Sequence, residues 1–446
     1  MDVAEQLTTQ QKQAVTDRGG KLLVSAAAGS GKTKVLVDRL LSYLLDETAP
    51  ANLDDFLVIT YTKAAAAELR GKIAAKLTEH MAIHPENRHL QHQMQRLYLA
   101  KISTVHSFCA DILKEHAYLL DIPGDFRVAD EMECNEMRSA CMEKLLDDVY
   151  GTSQNDADFC AFVDSQGLGR DDRLVPEILL KVYDSAHCHI SPDQWLDECI
   201  AYADVKQVQD AAETVWGEYL VADLFDYLDM QLETLEAVRT AAQVSDGMEK
   251  PTENLSISQL QQLRSCRNWD EIVAAKNIDY GRLTFSKKCD QELADKIKSV
   301  RNACKKGLDK RLKSFTDKSE TVLADLRSAV PAVRGMVSLV RQFDTRYAQV
   351  KRSRRVLDFS DLEQRMLDLL LGKNRSGTTA VAEEIAGRFR EIMVDEYQDS
   401  NGVQDAIFTA LTREKQNCFM VGDVKQSIYQ FRLADPGIFL EKYHAY

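Results

Sequence analysis

The sequence predicts an α/β fold: a parallel-sheet domain interrupted by a large, mostly α-helical insertion. Three observations carry this. Residues 21–60 read strand–helix–strand, and residues 390–422 repeat the pattern. Between them, from about 126 to 357, the text is rich in Glu, Asp, Lys, Leu and Ala at helical spacing, with few strand runs. A strand–helix–strand unit implies parallel strands joined by a right-handed crossover.

The elements follow in order. "KLLVS" (Lys21 to Ser25) is a short apolar strand. Val35, Leu36, Arg39, Leu40, Tyr43 and Leu44 mark one face of an amphipathic helix. "FLVIT" (Phe56 to Thr60) is the second strand. "GTSQNDAD" (Gly151 to Asp158) and "SDGMEKPTEN" (Ser245 to Asn254) read as loops within the helical region. "EIMV" is a strand, "VQDAIFTAL" a helix and "CFMV" a strand. The expected division is 1–125 for the first part of the sheet domain, 126–350 for the insertion, and 351–446 for the second part.

The totals bound the rest. A length of 446 residues suits about two to four domains. Hydrophobic content of 45% and charge of 28% are ordinary for a soluble globular chain. No apolar run approaches the ~20 residues of a membrane helix, so no membrane partner is expected. "MDVAEQLTTQQ" is no secretory signal. The ten cysteines are scattered, none as C-x-x-C, and read as reduced core residues of a cytoplasmic protein. The net charge of −14 argues mildly against a nucleic-acid partner, but local fields decide binding. Two stretches reverse it: Lys296 to Lys313, with eight Lys/Arg and one Asp, and "KRSRR" (Lys351 to Arg355). Either can also be a solvated helix face.

"AAAGSGKT" spans Ala26, Ala27, Ala28, Gly29, Ser30, Gly31, Lys32 and Thr33, and fits A-x-x-x-x-G-K-T. It follows a strand and opens a helix, the context a phosphate-binding loop requires. Gly29 and Gly31 let backbone N–H groups turn toward an anion, and the helix N-terminus adds its positive dipole end. Lys32 can reach the β- and γ-phosphates, and Thr33 can hold Mg²⁺. "EIMVDEYQD" supplies the complementary acids. Asp395, at the strand end, can hold the metal through water, and Glu396 can polarise the attacking water. ATP and Mg²⁺ are the expected cofactors.

With both pieces in hand, the remaining runs resemble superfamily 1 helicases of the UvrD/Rep/RecB kind, whose motor domain is a RecA-like P-loop NTPase. "LTTQQKQAV" resembles the adenine-reading segment, with Gln11 as the reading amide. "ITYTKAAAAELR" resembles a DNA-contacting segment, with Thr62 and Arg70 in the matching places. Many relatives have Asn-Lys where this chain has Lys63-Ala64, which shifts one basic contact. "ISTVHSF" resembles the next such run, with Thr104, His106 and Phe108; His106 alone would read as a satisfied core histidine. "LDFSDL" resembles another, where Asp358 and Phe359 support the strand-binding surface. "GDVKQSIYQFR" resembles the loop that carries the γ-phosphate sensor, here Gln426, beside Asp423. Its Tyr429, Phe431 and Arg432 face DNA, with Phe431 stacking where UvrD and Rep place Trp.

Within the group the likeness is greatest to the AddA/RexA family, one of the two chains of the two-subunit ATP-dependent helicase/nucleases. The long stretch between Phe108 and Asp358 is what that branch uses as a duplex-engaging arm. The resemblance implies ATP hydrolysis coupled to 3′–5′ movement on single-stranded DNA, engagement of a duplex end, double-strand break repair and recombination, and a heterodimer with an AddB-type partner. It also implies that arginines of a second motor domain and an exonuclease domain lie beyond this chain. The chain is therefore expected to be an N-terminal part of a longer enzyme, weakly active or inactive by itself. The alternatives are a UvrD-like repair helicase without nuclease, and a DNA-binding module with an inactive ATP site. A P-loop kinase fails, since no acceptor site or lid pattern is visible.

Overall fold

A computed structural model describes residues 7–445 apart from 28, 153–155, 167–172, 244–251, 287–288, 413–416 and 428–433. Its strands are β1 (Lys21–Ser25), β2 (Phe56–Thr60), β3 (Lys101–Thr104), β4 (Arg127–Val128), β5 (Val356–Leu357), β6 (Glu391–Val394) and β7 (Cys418–Gly422). Five of them form one sheet in the order β1-β7-β6-β2-β3. Every pairing in it is parallel, with Ser25 opposite Gly422 and Ile59 opposite Val394. β4 and β5 form a separate parallel pair.

The four expected strands are present. β3 was not foreseen, because its four residues alternate between half-buried and buried and carry too little apolar signal. β2 and β6 are buried on both sides, which suits a sheet covered by helices on each face. Successive side chains point to opposite faces. Phe56 and Val58 pack with Met393, Phe419 and Val421 against the helix Lys32–Leu44 and its neighbours, through Val35, Leu36, Leu40, Ile73 and Leu77. Leu57 and Ile59 pack with Ile392, Val394 and Met420 against Phe108, Leu362, Met366, Ile407 and Phe408 on the other face. The first helices of the chain are α1 (Thr9–Thr16), α2 (Lys32–Leu44), α3 (Lys63–Ile83), α4 (Arg88–Arg96) and α5 (Val105–Glu115).

The chain divides into two compact units, and the expected boundaries move. One unit comprises Met1–Thr152, Arg173–Trp195 and Leu339–Tyr446; the other comprises Ser153–Asp172 and Leu196–Ser338. Helices Glu131–Thr152 and Val175–His187 therefore belong with the sheet rather than the insertion. Aromatic packing explains this. Tyr183 meets Phe343 edge-on at 5.0 Å, and Phe343 stacks on Tyr347 at 5.5 Å. The later boundary falls inside the helix Ser319–Arg354, where composition gives no signal. The loop expected at 151–158 is shorter than foreseen, since Glu131–Thr152 and Ala157–Gln166 are helices that run into it, with 153–155 outside the described residues; most of the loop expected at 245–254 lies outside them.

The second unit is helical among its described residues. Its core gathers Trp269, Leu224, Leu228, Leu260, Ile297, Cys304 and Phe315. The basic stretch Lys296 to Lys313 lies along its helix Gln291–Leu312. Part of that charge is spent internally. Arg301 and Lys305 cover Tyr280, Arg311 covers Tyr227 and pairs with Asp223, and Lys298 pairs with Asp295. Lys296, Lys306, Lys310 and Lys313 lie on the outer side of that helix or at its end, away from the core.

The run "KRSRR" is consumed by ion pairs in the sheet unit. Arg352 pairs with Asp121, Arg354 with Glu133 and Arg355 with Asp125. Lys351 is buried between Asp358 and Asp361, at 3.0 and 2.6 Å. Lys351 is a structural fastening, whereas the three arginines are largely exposed and pair with acids at the surface.

Candidate active site

The C-terminal ends of β1, β7, β6 and β2 converge, the place where open α/β sheets hold ligands. The phosphate loop leaves β1 there. The Ala26 N–H donates to the Gly422 carbonyl at 3.1 Å, which ties the loop to β7. Gly29 and Gly31 adopt φ of +76° and +83°, the left-handed region that favours glycine. A Cβ on Gly29 would meet nothing within 4 Å, so the loop is an open cradle. Gly31 is the N-cap of α2 and brings no side-chain cap, which leaves the first N–H groups of α2 for an anion. Ala28 lies outside the described residues.

Gln11 braces this loop. Its Nε2 donates to the Ser30 carbonyl at 2.9 Å, and its Oε1 accepts from the Thr8 N–H at 2.9 Å within a capping box. One N–H and one lone pair of the amide remain for another partner.

Asp395 continues the sheet, its N–H donating to the Ile59 carbonyl at 3.0 Å. Its side chain is buried and accepts from the Glu396 N–H at 3.0 Å. Burial, and then the neighbouring Glu396 charge, push its carboxyl up to about 6. Glu396 itself sits at φ +52°, a conformation costing a non-glycine residue on the order of 1 kcal/mol. Its Oε2 lies 3.4 Å from Lys32 Nζ. A raised, crowded carboxyl beside a lysine and an open anion cradle is the donor set that fits a divalent cation with a phosphate chain.

The sequence reading missed Gln398. It is 1% exposed and bridges two parts of the site. Its Nε2 donates to Glu396 Oε2 at 2.9 Å, and its Oε1 accepts from the Asp423 N–H at 2.9 Å. Gly422 makes room for it: a Cβ there would lie 2.5 Å from Gln398 Oε1. Asp423 caps the turn Val424–Gln426 and accepts from Gln426 Nε2 at 2.5 Å. Gln426 thus lines one cleft of about 350 Å³ with Thr33, Asp395, Glu396 and Thr62. Glu68 and Lys72 of α3, also unforeseen, line it too and pair with each other at 2.6 Å. Their signal was the helical spacing from Thr62, which nothing in the sequence ties to the acids that follow β6.

The residues expected to meet DNA separate into two groups. His106 and Phe359 come together: their rings stack at 4.4 Å with 24° between planes. Phe359 is 54% exposed. His106 Nε2 lies 3.0 Å from Glu363 Oε1. Thr62 caps α3, accepting from the Ala65 N–H at 3.0 Å, and borders the cleft.

The second group turns inward. Phe108 is 2% exposed and packs edge-on to Phe389, so its ring is core and presents no face for stacking. Arg70 donates to the carbonyls of Leu97, Ala100 and Ile102, fixing the approach to β3 rather than a phosphate. Thr104 is buried and caps α5, accepting from the Ser107 N–H at 3.2 Å. Asp358 is buried, caps the helix Phe359–Leu371 and pairs with Lys351, a supporting place behind Phe359. Tyr429, Phe431 and Arg432 lie outside the described residues.

Comparison with known proteins agrees with this geometry. Residues 7–446 match the family described as UvrD/REP helicase N-terminal domain. The chain is 35% identical over 449 residues to the A-type subunit of the ATP-dependent helicase/nuclease of Oceanobacillus iheyensis, covering 98% of this chain and 36% of that protein. It is 37% identical over 454 residues to the protein of the same name from Pelotomaculum thermopropionicum, with 98% and 36% covered. For the one from Listeria welshimeri the values are 35% over 451 residues, again 98% and 36%. The chain spans about a third of the length of the curated relatives it matches.

Proposed function

The chain belongs to the UvrD/REP helicase family, and from that premise we propose that it is the ATP-hydrolysing motor portion of a DNA helicase/nuclease that works in double-strand break repair. One observation carries the reading: Lys32, Thr33, Asp395, Glu396 and Gln426 meet at the ends of adjacent parallel strands, beside an open anion cradle.

The roles follow from position. The phosphate loop and the N-terminus of α2 bind the phosphate chain, and Lys32 neutralises its terminal charge. Thr33 and Asp395 are placed to hold Mg²⁺, which would draw charge from the phosphate oxygens when bound. Glu396, anchored by Gln398, orients and polarises the attacking water. Gln426 exchanges its Asp423 partner for the terminal phosphate and so reports whether that phosphate is present. Gln11 keeps a donor and an acceptor for the adenine edge. On the other side, the exposed Phe359 ring, backed by His106, offers a stacking platform for a base of single-stranded DNA. Thr62 and the N-terminus of α3, at the border of the nucleotide cleft, offer N–H groups to its backbone.

The subunit name carried by the relatives supports a heterodimer, with an AddB-type protein as partner. Movement 3′ to 5′, engagement of a duplex end and a cytoplasmic site of action complete the proposal. The test is binding of a fluorescent ATP analogue with Mg²⁺. Lys32→Ala should lower affinity at least ~100-fold, since a buried charge-assisted contact to phosphate is removed. Affinity that survives Lys32→Ala would place the nucleotide elsewhere.

A further inference from the structure

A chain of buried polar side chains runs from the nucleotide cleft to the His106–Phe359 ring pair. It starts at Tyr61, which lines the cleft. The Tyr61 hydroxyl bonds Ser400 Oγ at 2.5 Å and donates to Gln404 Oε1 at 3.3 Å. Gln404 Nε2 donates to Glu363 Oε1 at 2.7 Å. That oxygen also lies 3.0 Å from His106 Nε2, and Asn401 Nδ2 donates to the other at 3.4 Å. Ser400, Asn401, Gln404 and Glu363 are each less than a tenth exposed.

The direction of every bond is set by the carboxylate. Glu363 only accepts when ionised, so Gln404 must turn its NH₂ toward it and its carbonyl toward Tyr61. Burial alone would push the Glu363 carboxyl up; the donors from His106, Gln404 and Asn401 outweigh this and hold it below the usual range. The same short segment reaches the catalytic acids. Gln398 holds Glu396 and Asp423, Ser400 holds Tyr61, and Asn401 holds Glu363 and caps the helix that carries Gln404. Glu396 and Glu363 are therefore joined through the side chains and backbone of this one short segment.

We propose that Glu363 and Gln404 are positioning residues that couple the nucleotide cleft to the His106–Phe359 platform. They touch neither nucleotide nor DNA; they transmit. The proposal rests on the function argued above. Spatial continuity suggests such a link, and only a coupling measurement establishes one.

The experiment uses the 446-residue chain, a short fluorescein-labelled oligothymidine, and a non-hydrolysable ATP analogue with Mg²⁺. Oligothymidine affinity is measured with and without the analogue. In the wild type the two values should differ about fivefold or more, in either direction. Glu363→Gln, which keeps the shape, and Gln404→Met, which keeps the length, should each bring the ratio within about twofold of one. Nucleotide affinity in both variants should stay within about twofold of wild type. A general packing defect would instead weaken both ligands and lower the melting temperature, which would overturn the specific coupling role. Two variants guard against one failing to fold. Variants that retain the wild-type ratio would overturn the proposal and leave the helicase reading intact, as would a wild type that binds both ligands with a ratio of one. A wild type that binds neither ligand would sink the functional reading, and this proposal with it.

Discussion

Asp395 and Asp358 are both buried in the sheet unit, at 8% and 3% exposure, yet their carboxyls are pushed in opposite directions. Asp358 loses hydration but gains Lys351 at 3.0 Å, the Asp361 N–H at 2.9 Å and Ser360 Oγ at 2.8 Å, and is held well below the usual range. Asp395 loses hydration, gains the Glu396 N–H, and faces a second carboxylate, so it is raised to about 6. One region is compensated from within the chain. The other is left short of positive charge, which is how a site for a cation and a phosphate chain differs from a fastening.

The contrast can be broken from either side. Lys351→Met strands the buried Asp358 and the half-buried Asp361 and should cost about 3–5 kcal/mol in a denaturant melt. If it costs less than about 1 kcal/mol, the fastening is not one. Asp395→Asn should do the reverse, stabilising the ligand-free chain at neutral pH by on the order of 2 kcal/mol while ending Mg²⁺-dependent nucleotide binding. The pH dependence has opposite signs. A raised carboxyl such as Asp395 contributes stability that is present below its unfolded value and lost as pH rises through about 6. A lowered one such as Asp358 contributes stability that is present above its unfolded value and lost as pH falls through its folded value. Asp395 should therefore make the melting temperature decline between about pH 4 and 6 in the wild type, a contribution that is lost in Asp395→Asn.

Two smaller changes sharpen the picture. Gly422→Ala drives a methyl to 2.5 Å from Gln398 Oε1 and should cost about 1 kcal/mol or slightly more. Its larger effect should be on hydrolysis, because Gln398 anchors Glu396. Arg355→Ala breaks a pair whose side chains are both 66% exposed and should move stability by less than about 0.5 kcal/mol.

The sequence disclosed what depends on neighbours along the chain. β1, β2, β6 and β7, the phosphate loop and the Asp395–Glu396 pair were all legible from local pattern. What escaped depends on distant partners. Gln398 gains meaning only from Asp423, and Glu363 only from His106 and Gln404. The ion pairs of "KRSRR" could not be read because Asp121, Asp125 and Glu133 lie over two hundred positions away. Arg70 and Phe108 followed a family pattern into roles that their surroundings here do not support.

The sheet order has a consequence for how the molecule is born. Among the described residues β1 is an edge strand that pairs with β7, with Lys21 opposite Cys418. The strand that launches the phosphate loop is made about 400 residues before its partner. At ~5–20 residues per second, synthesis leaves β1 waiting on the order of 20–80 s with an unpaired apolar edge. A fault in that interval would show as aggregation of nascent chains, not as a weak enzyme.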